Sequence, residues 1–305
     1  MANEAVWSSL SSDVGRTVVE SYILEALADE YFIANHPAIM DMKDLTGSFS
    51  DTAKVREDDV LTGRTFNSVS EGGSMTTNTA IGTELYSVAI GQKYLQWNIS
   101  DLLNTLANEQ FSPERFAQGL AKSLAYTWTG LLATEGATFT GSLDAGAGDP
   151  DLEDFWDAVG EVEDLLGSGD DPGIAILHPK AARALAKDGN FAQQSNLSKD
   201  DPGVQALAKM FGTNRYLGRI HNFDIFATPQ VATDTGKYQN CLFRKGGMLK
   251  AMARAIPMTA DQLAFGPLML ERLRSSTKPE TTIRGTGFMG VNKAQERGIL
   301  WETTA

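Results

Sequence analysis

The sequence has little of what disulfide-bonded or zinc-binding proteins need. Its 305 residues include one cysteine, Cys241, and three histidines. One cysteine cannot form an internal disulfide, so we expect Cys241 to be a buried apolar residue in a reducing compartment. No H-x-x-x-H, C-x-x-C or G-x-S-x-G spacing occurs, so the usual zinc sets and the hydrolase nucleophile elbow are not predicted.

Long apolar runs and an excess of positive charge are also missing. The N-terminus lacks the basic region and apolar run of a signal peptide, and no stretch reaches 18 uninterrupted apolar residues. We therefore expect a protein that is soluble and not exported. The 39 acidic against 26 basic residues give a net charge of −13, which offers no electrostatic basis for DNA binding. A content of 42% hydrophobic and 21% charged residues is typical of globular chains.

A G-x-G-x-x-G spacing is present in RGTGFMGVNK, residues 284–293, through Gly285, Gly287 and Gly290. A dinucleotide site would also need a following helix and an acidic residue about 20 positions later. Only VNKAQERGILWETTA follows Gly290. The β-branched and aromatic residues around the glycines instead predict a strand in which glycine permits close packing.

Apolar periodicity predicts helices over residues 13–31, 113–135 and 204–212. The second has Ser112 as N-cap and Pro113 at its first position. Its apolar stripe comprises Phe116, Leu120, Leu124, Trp128 and Leu131. The middle of the chain predicts an α/β module, because helices and strands alternate there. Its parts are an acidic helix after Asp149-Pro150, a strand at 174–177, a helix from Pro179 and one strand at 219–231.

A polar stretch, residues 62–83, precedes a strand-like stretch, residues 84–100, and together they predict a long hairpin. Its first arm has too few apolar residues to be stable alone. Two interpretations stay open: a mobile surface loop, or a projecting arm that overlaps a neighbouring subunit.

Eleven acidic residues and no lysine or arginine lie between Asp144 and Asp171. Clustered carboxylates can serve catalysis or bind a divalent metal. We favour the polar face of an amphipathic helix, because no calcium-loop spacing accompanies them. We expect no catalytic, cofactor-binding or metal-binding residue. The basic final third could neutralise this acidic region within or between subunits, which favours self-association.

The order of these parts resembles the major capsid proteins of tailed bacteriophages, the HK97 fold family. The stretches that carry the resemblance are VAIGQKYLQWNIS before the helix at 113–135, ILHPKAARALAKD, and GRIHNFDIFATPQV followed by CLFRKGGMLKAMA. The resemblance implies an α+β fold with these parts: an N-terminal arm at 1–57, an extended β-hairpin loop at 58–100, a peripheral domain at 101–148 with a spine helix at 113–135, an α/β axial domain at 149–245 and returning peripheral strands at 246–305.

The same resemblance implies a non-enzymatic shell protein that forms hexamers and pentamers of an icosahedral capsid around double-stranded DNA, without binding it specifically. It implies assembly in the host bacterial cytoplasm, a portal protein, a possible decoration protein and no membrane. Some members of the family begin with a scaffolding segment that is part of the same chain. Since the spine helix starts at Pro113, the residues before it leave room only for the arm and the loop, and we expect scaffolding to be a separate protein. The candidate assembly residues on the hairpin are Arg64, Phe66, Glu71, Tyr86, Lys93, Tyr94 and Trp97.

Two other functions remain open: the shell of an encapsulin compartment and, with less support, an acidic α/β hydrolase that uses carboxylates in 144–171. Some capsid proteins of this family form a covalent lysine–asparagine cross-link through the extended loop. Lys93 is the only lysine between residues 60 and 100 and lies on the returning strand, so no cross-link is assigned.

Overall fold

The computed structural model describes residues 33, 36–42, 52–58, 83–100, 113–146, 148–166, 172–188, 216–254, 256–259, 261–265, 268–274, 278, 280–293 and 297–304. Within these ranges there are three helices, α1 (Pro113–Gly136), α2 (Leu152–Leu166) and α3 (Pro179–Lys187). The strands are β1 (Ile39–Asp41), β2 (Thr52–Asp58), β3 (Thr83–Ala89), β4 (Gly91–Ser100), β5 (Gly141–Asp144), β6 (Gly173–Leu177), β7 (Tyr216–Ile220), β8 (Phe223–Ala227), β9 (Thr233–Asp234), β10 (Lys237–Arg244), β11 (Met248–Met252), β12 (Gln262–Phe265), β13 (Leu268–Arg274), β14 (Glu280–Lys293) and β15 (Gly298–Thr304). None of the described helices is long and apolar enough to cross a membrane.

The described strands form two large sheets and a short ribbon. A six-stranded sheet has the order β1-β11-β14-β13-β12, with β4 also paired to β14. A seven-stranded sheet has the order β5-β15-β10-β6-β8-β7, with β9 paired to β10. The ribbon is the antiparallel pair β2-β3.

The long helix α1 joins the two sheets. Leu120, Leu124, Trp128 and Leu132 recur at helical spacing and are each at most 8% exposed. They belong to one core cluster that also contains residues of both large sheets. Helix α1 therefore confirms the predicted helix at 113–135 and extends it by one residue.

The seven-stranded sheet carries the predicted α/β module. Strands β6 and β8 are parallel and every residue in them is buried, as expected for central strands covered on both faces. Helices α2 and α3 contribute to a second core cluster, which includes Phe155 and Trp301. The start of α2 is a reciprocal cap, since the backbone N–H of Asp154 donates to Asp151 Oδ1 at 3.0 Å and that of Asp151 to Asp154 Oδ2 at 3.1 Å.

Strand β14 contains the glycine motif and confirms the strand prediction. A Cβ placed on Gly285 would lie 2.4 Å from Leu120 Cδ2, and one on Gly287 would lie 2.4 Å from Leu124 Cδ1. A Cβ on Gly290 would lie 2.1 Å from the carbonyl oxygen of Ala89. The glycines therefore let α1 pack on one face of the strand and the end of β3 on the other.

One prediction needs correction and two fall outside the described residues. The single strand predicted at 219–231 is wrong: β7 and β8 form a hairpin, because His221 (φ 44°) and Asn222 (φ 62°) adopt left-handed conformations that suit a two-residue turn. The helices predicted at 13–31 and 204–212 lie outside the described residues.

Cys241 is buried, as predicted, with 1% of its surface exposed. Burial raises the pKa of its thiol to about 12. We therefore expect a thiol reagent at pH 8 to label the folded chain at least about a hundredfold more slowly than the unfolded chain, since the thiolate is the reactive species. Time-resolved labelling with and without denaturant measures this ratio, and equal rates would contradict the buried position.

Candidate assembly surface

The predicted hairpin is attached to the six-stranded sheet along its returning arm. Strand β4 pairs antiparallel with β14 over ten residues, from Gly91 opposite Met289 to Ser100 opposite Glu280. Just before it, β3 pairs with β2 from Thr83 to Ala89. The hairpin therefore has a rigid root, built from strands that are far apart in sequence.

The structure describes four of the seven candidate assembly residues. Tyr86 is partly buried and packs on a small cluster that includes Val88 and Leu249. Lys93 and Tyr94 are exposed on β4; Tyr94 keeps 66% of its surface accessible, with the Arg284 guanidinium 5.6 Å from its ring centroid. The backbone of Trp97 lies opposite Ile283. Arg64, Phe66 and Glu71 lie outside the described residues.

A groove of about 500 Å³ runs between α1 and β4. Gly285 and Gly287 lie in its floor, because they lack side chains that would fill it. The walls include Lys93 and Leu95 from β4 and Lys122, Ser123 and Tyr126 from α1. Leu95 is 40% exposed and Tyr126 is 53% exposed, so the groove is an accessible apolar surface.

A second exposed apolar feature precedes β12. Met258 is 88% exposed and Ile256 is 53% exposed. The loop is held in place, because the N–H of Met258 donates to Gln262 Oε1 at 2.8 Å and the N–H of Gln262 donates to Thr259 O at 3.1 Å. We call residues 256–258 the apolar knob. Sequence reasoning missed it, since an isolated apolar pair in a loop carries no periodic signal.

The acidic helix α2 presents its carboxylates mainly to solvent, as predicted. Glu153, Asp157, Glu161 and Asp164 are exposed, whereas Phe155, Val159 and Val162 belong to the second core cluster. Glu163 accepts a hydrogen bond from the buried Arg244 at 2.6 Å. In the part of the chain that the structure describes, no group of three or more potential metal ligands lies close enough to hold an ion.

The most enclosed carboxylate belongs to Asp224 on β8, with 1% of its side chain exposed. It accepts hydrogen bonds from Tyr216 Oη at 2.8 Å and from Arg219 Nε and Nη2 at 2.9 Å, and His36 Nε2 lies 2.9 Å away. His36 Nδ1 accepts the N–H of Ala38, so Nε2 carries the proton and donates to Asp224. Because these partners occupy the carboxylate, it has a structural role.

This network connects two parts of the fold. His36 lies three residues before Ile39, the start of β1 in the six-stranded sheet, whereas Asp224 lies within the seven-stranded sheet. Burial alone would raise the pKa of Asp224, but the hydrogen bonds from His36, Arg219 and Tyr216 outweigh it and lower that pKa below its ordinary value. The carboxylate is therefore ionised at neutral pH and fixes the position of residues 36–42.

By sequence, no protein-family model and no curated protein matches the chain. By structure, it is similar to the capsid of Ralstonia phage GP4, with 11% identity, a TM-score of 0.59 and coverage of 88% of this chain and 87% of that one. The capsid of the cyanophage P-SCSP1u has 13% identity and a TM-score of 0.57, with coverage of 88% of this chain and 86% of that one. The SrpI encapsulin of Synechococcus elongatus PCC 7942 has 8% identity and a TM-score of 0.55, with coverage of 90% of this chain and 86% of that one.

These similarities extend along most of each chain, although sequence identity is low. They agree with the mixed α+β arrangement of two large sheets and few helices described above. The chain therefore has the α+β, HK97-like capsid fold that its sequence predicts.

Proposed function

We propose that the protein is the major capsid protein of a tailed bacteriophage and assembles into hexamers and pentamers of an icosahedral shell. The observation that carries the proposal is a whole-chain capsid fold with exposed aromatic and apolar residues at the hairpin root. Tyr94 and Tyr126 are exposed and line the same groove, and a shell subunit can bury such a surface against a neighbour.

We propose the following domain organisation. Residues 1–57 form the arm and 58–100 the extended loop, and the parts of both that project from the subunit lie over its neighbours. Residues 101–148 and 246–305 form the peripheral domain, and 149–245 form the axial domain around the symmetry axes. Arg64, Phe66, Glu71, Tyr86, Lys93, Tyr94 and Trp97 contribute to contacts between subunits.

The shell encloses double-stranded DNA without binding it specifically, which a chain of net charge −13 favours. The capsid forms in the host bacterial cytoplasm and is part of the virion. Its partners are a separate scaffolding protein, a portal protein and, in some capsids, a decoration protein. No catalytic step is required of it.

An encapsulin shell is the second candidate. The similarity to the SrpI encapsulin, with a TM-score of 0.55, is as extensive as that to the phage capsids. An encapsulin would enclose a cargo enzyme and would have no portal.

The proposal is tested by expressing the chain with and without its genomic neighbours and imaging the purified protein by cryo-electron microscopy. We expect closed icosahedral particles in the presence of a scaffolding gene, and irregular or no particles without it. Faithful shells from the chain alone would contradict a separate scaffolding protein. Particles that contain a cargo enzyme in place of DNA would identify an encapsulin. Small oligomers under every condition would overturn the shell function, and hydrolysis by carboxylates in 144–171 would then be the next hypothesis.

A further inference from the structure

The apolar knob and the groove lie at opposite edges of the same sheet. Gly285 of β14 pairs with Leu95 of β4 and also with Leu270 of β13, so β4 and β13 flank β14 on opposite sides. Strand β12 lies beyond β13, and the knob immediately precedes β12. Among the described strands, β4 pairs only with β14 and β12 pairs only with β13.

We propose that the apolar knob of one copy of this chain inserts into the groove between α1 and β4 of the next copy. The inference rests on the proposed function and assigns a specific contact to it. The knob offers Met258, whose side chain is almost fully exposed, and the groove offers Leu95 and Tyr126 on its walls. Met258, Leu95 and Tyr126 all leave apolar surface exposed, and joining the knob to the groove removes that surface from water.

The charges around the two surfaces are complementary. The groove carries Lys93 on one wall and Lys122 on the other, and both are exposed. The knob loop ends at Asp261, whose side chain is 54% exposed and lies 3.0 Å from Arg272. Asp261 pairs with Arg272, but its exposed part offers a negative charge on the knob side that the proposed contact would bring toward these lysines.

A contact between two different surfaces of the same chain is head-to-tail. Each copy then receives one knob and provides one, so the contact can repeat from copy to copy. Repeated head-to-tail contacts close into rings when the rotation between copies divides a full turn. Rings of five and six subunits are what the proposed shell requires.

The contact is tested with single-cysteine variants, because Cys241 is buried and unreactive. Ser123→Cys in the groove wall and Met258→Cys in the knob are produced separately, and the two chains are assembled together and oxidised. We expect a two-chain disulfide species on a non-reducing gel from the mixture, and little from either variant alone. A dominant species from Ser123→Cys alone would indicate a symmetric contact and overturn the proposal.

The matched control is Thr134→Cys, which is exposed on α1, whereas Ser123 is half-buried, and lies eleven residues, about 16 Å, farther along the helix. It is expected to give no cross-link with Met258→Cys. If the unmodified chain forms particles and the Ser123–Met258 mixture forms no disulfide, the contact is wrong while the shell function stands. If no particles form even with a scaffolding gene present, the shell function fails, and the same mixture at high protein concentration still decides whether the contact exists.

A second measurement does not depend on oxidation. Met258→Asp is expected to lower the yield of particles by about tenfold or more, because it buries an unpaired carboxylate in an apolar contact. Met258→Leu preserves the apolar side chain and is expected to assemble normally. Circular dichroism of the unassembled subunits checks that both variants fold, and normal assembly of Met258→Asp would overturn the proposal.

Discussion

The Asp224→Ala variant is expected to lose about 3–5 kcal/mol of free energy of unfolding, the usual cost of removing one partner from a buried, hydrogen-bonded ion pair. The substitution removes the acceptor of the hydrogen bonds that the buried His36 and Tyr216 donate, and it removes the carboxylate that faces Arg219. It also releases residues 36–42 from the seven-stranded sheet. Urea unfolding followed by tryptophan fluorescence measures the loss, since Trp128 and Trp301 are buried.

The control is Asp157→Ala on the exposed face of α2, which is expected to change the free energy of unfolding by no more than about 0.5 kcal/mol. Similar losses in the two variants would show that the Asp224 network contributes nothing specific.

The contribution of Asp224 also depends on pH. Its pKa in the folded chain lies below the ordinary value of 3.8, so its stabilisation is present above that pH and is lost as the pH falls through the folded-state pKa. The difference in stability between the parent chain and Asp224→Ala is therefore expected to be constant near neutrality and to narrow below about pH 3.8. A difference that stays unchanged at lower pH would contradict this assignment.

The second large effect is expected from Gly290→Ala on β14. The new Cβ would lie 2.1 Å from the carbonyl oxygen of Ala89 and 2.9 Å from its carbonyl carbon. These are backbone atoms, which cannot rotate away, so the end of β3 must separate from β14. We expect the free energy of unfolding to fall by about 3 kcal/mol or more, which is at or above the upper end of the usual cost of overpacking a core.

The matched control is Gly160→Ala within α2, where a Cβ meets nothing within 4 Å. Alanine is favoured over glycine in a helix interior, so this variant is expected to gain roughly 0.5–1 kcal/mol. Thermal unfolding of the three chains side by side gives the comparison. A Gly290→Ala chain as stable as the parent would mean that β3 does not approach β14 as closely as described.

The helical elements were predictable because their signals are local. Pro113 and the apolar spacing of Leu120, Leu124 and Trp128 fix the position of α1 without reference to the rest of the chain. The run of buried apolar residues in β6, followed by Pro179, likewise predicts a strand that leads into a helix. Local capping and periodicity therefore account for the agreement at these elements.

The remaining features depend on residues that are distant in sequence. Nothing near His36 indicates that Asp224, 188 positions later, will accept its hydrogen bond. The turn at His221 and Asn222 was missed because neither residue is glycine, which is the usual signal for left-handed backbone. The groove is formed by α1, β4 and β14 together, so Lys93 and Tyr94 could be proposed as interface residues while their cavity could not.

The late position of β14 has a consequence for synthesis on the ribosome. Leu95 of β4 pairs with Gly285, 190 positions later, and β15 lies between β5 and β10 inside the other sheet. At about 5–20 residues per second, the ribosome needs roughly 10–40 s to reach β14 after β4 has been made. Throughout that interval the groove has no floor. The order of translation thus completes this surface only when nearly all of the described fold has been synthesised.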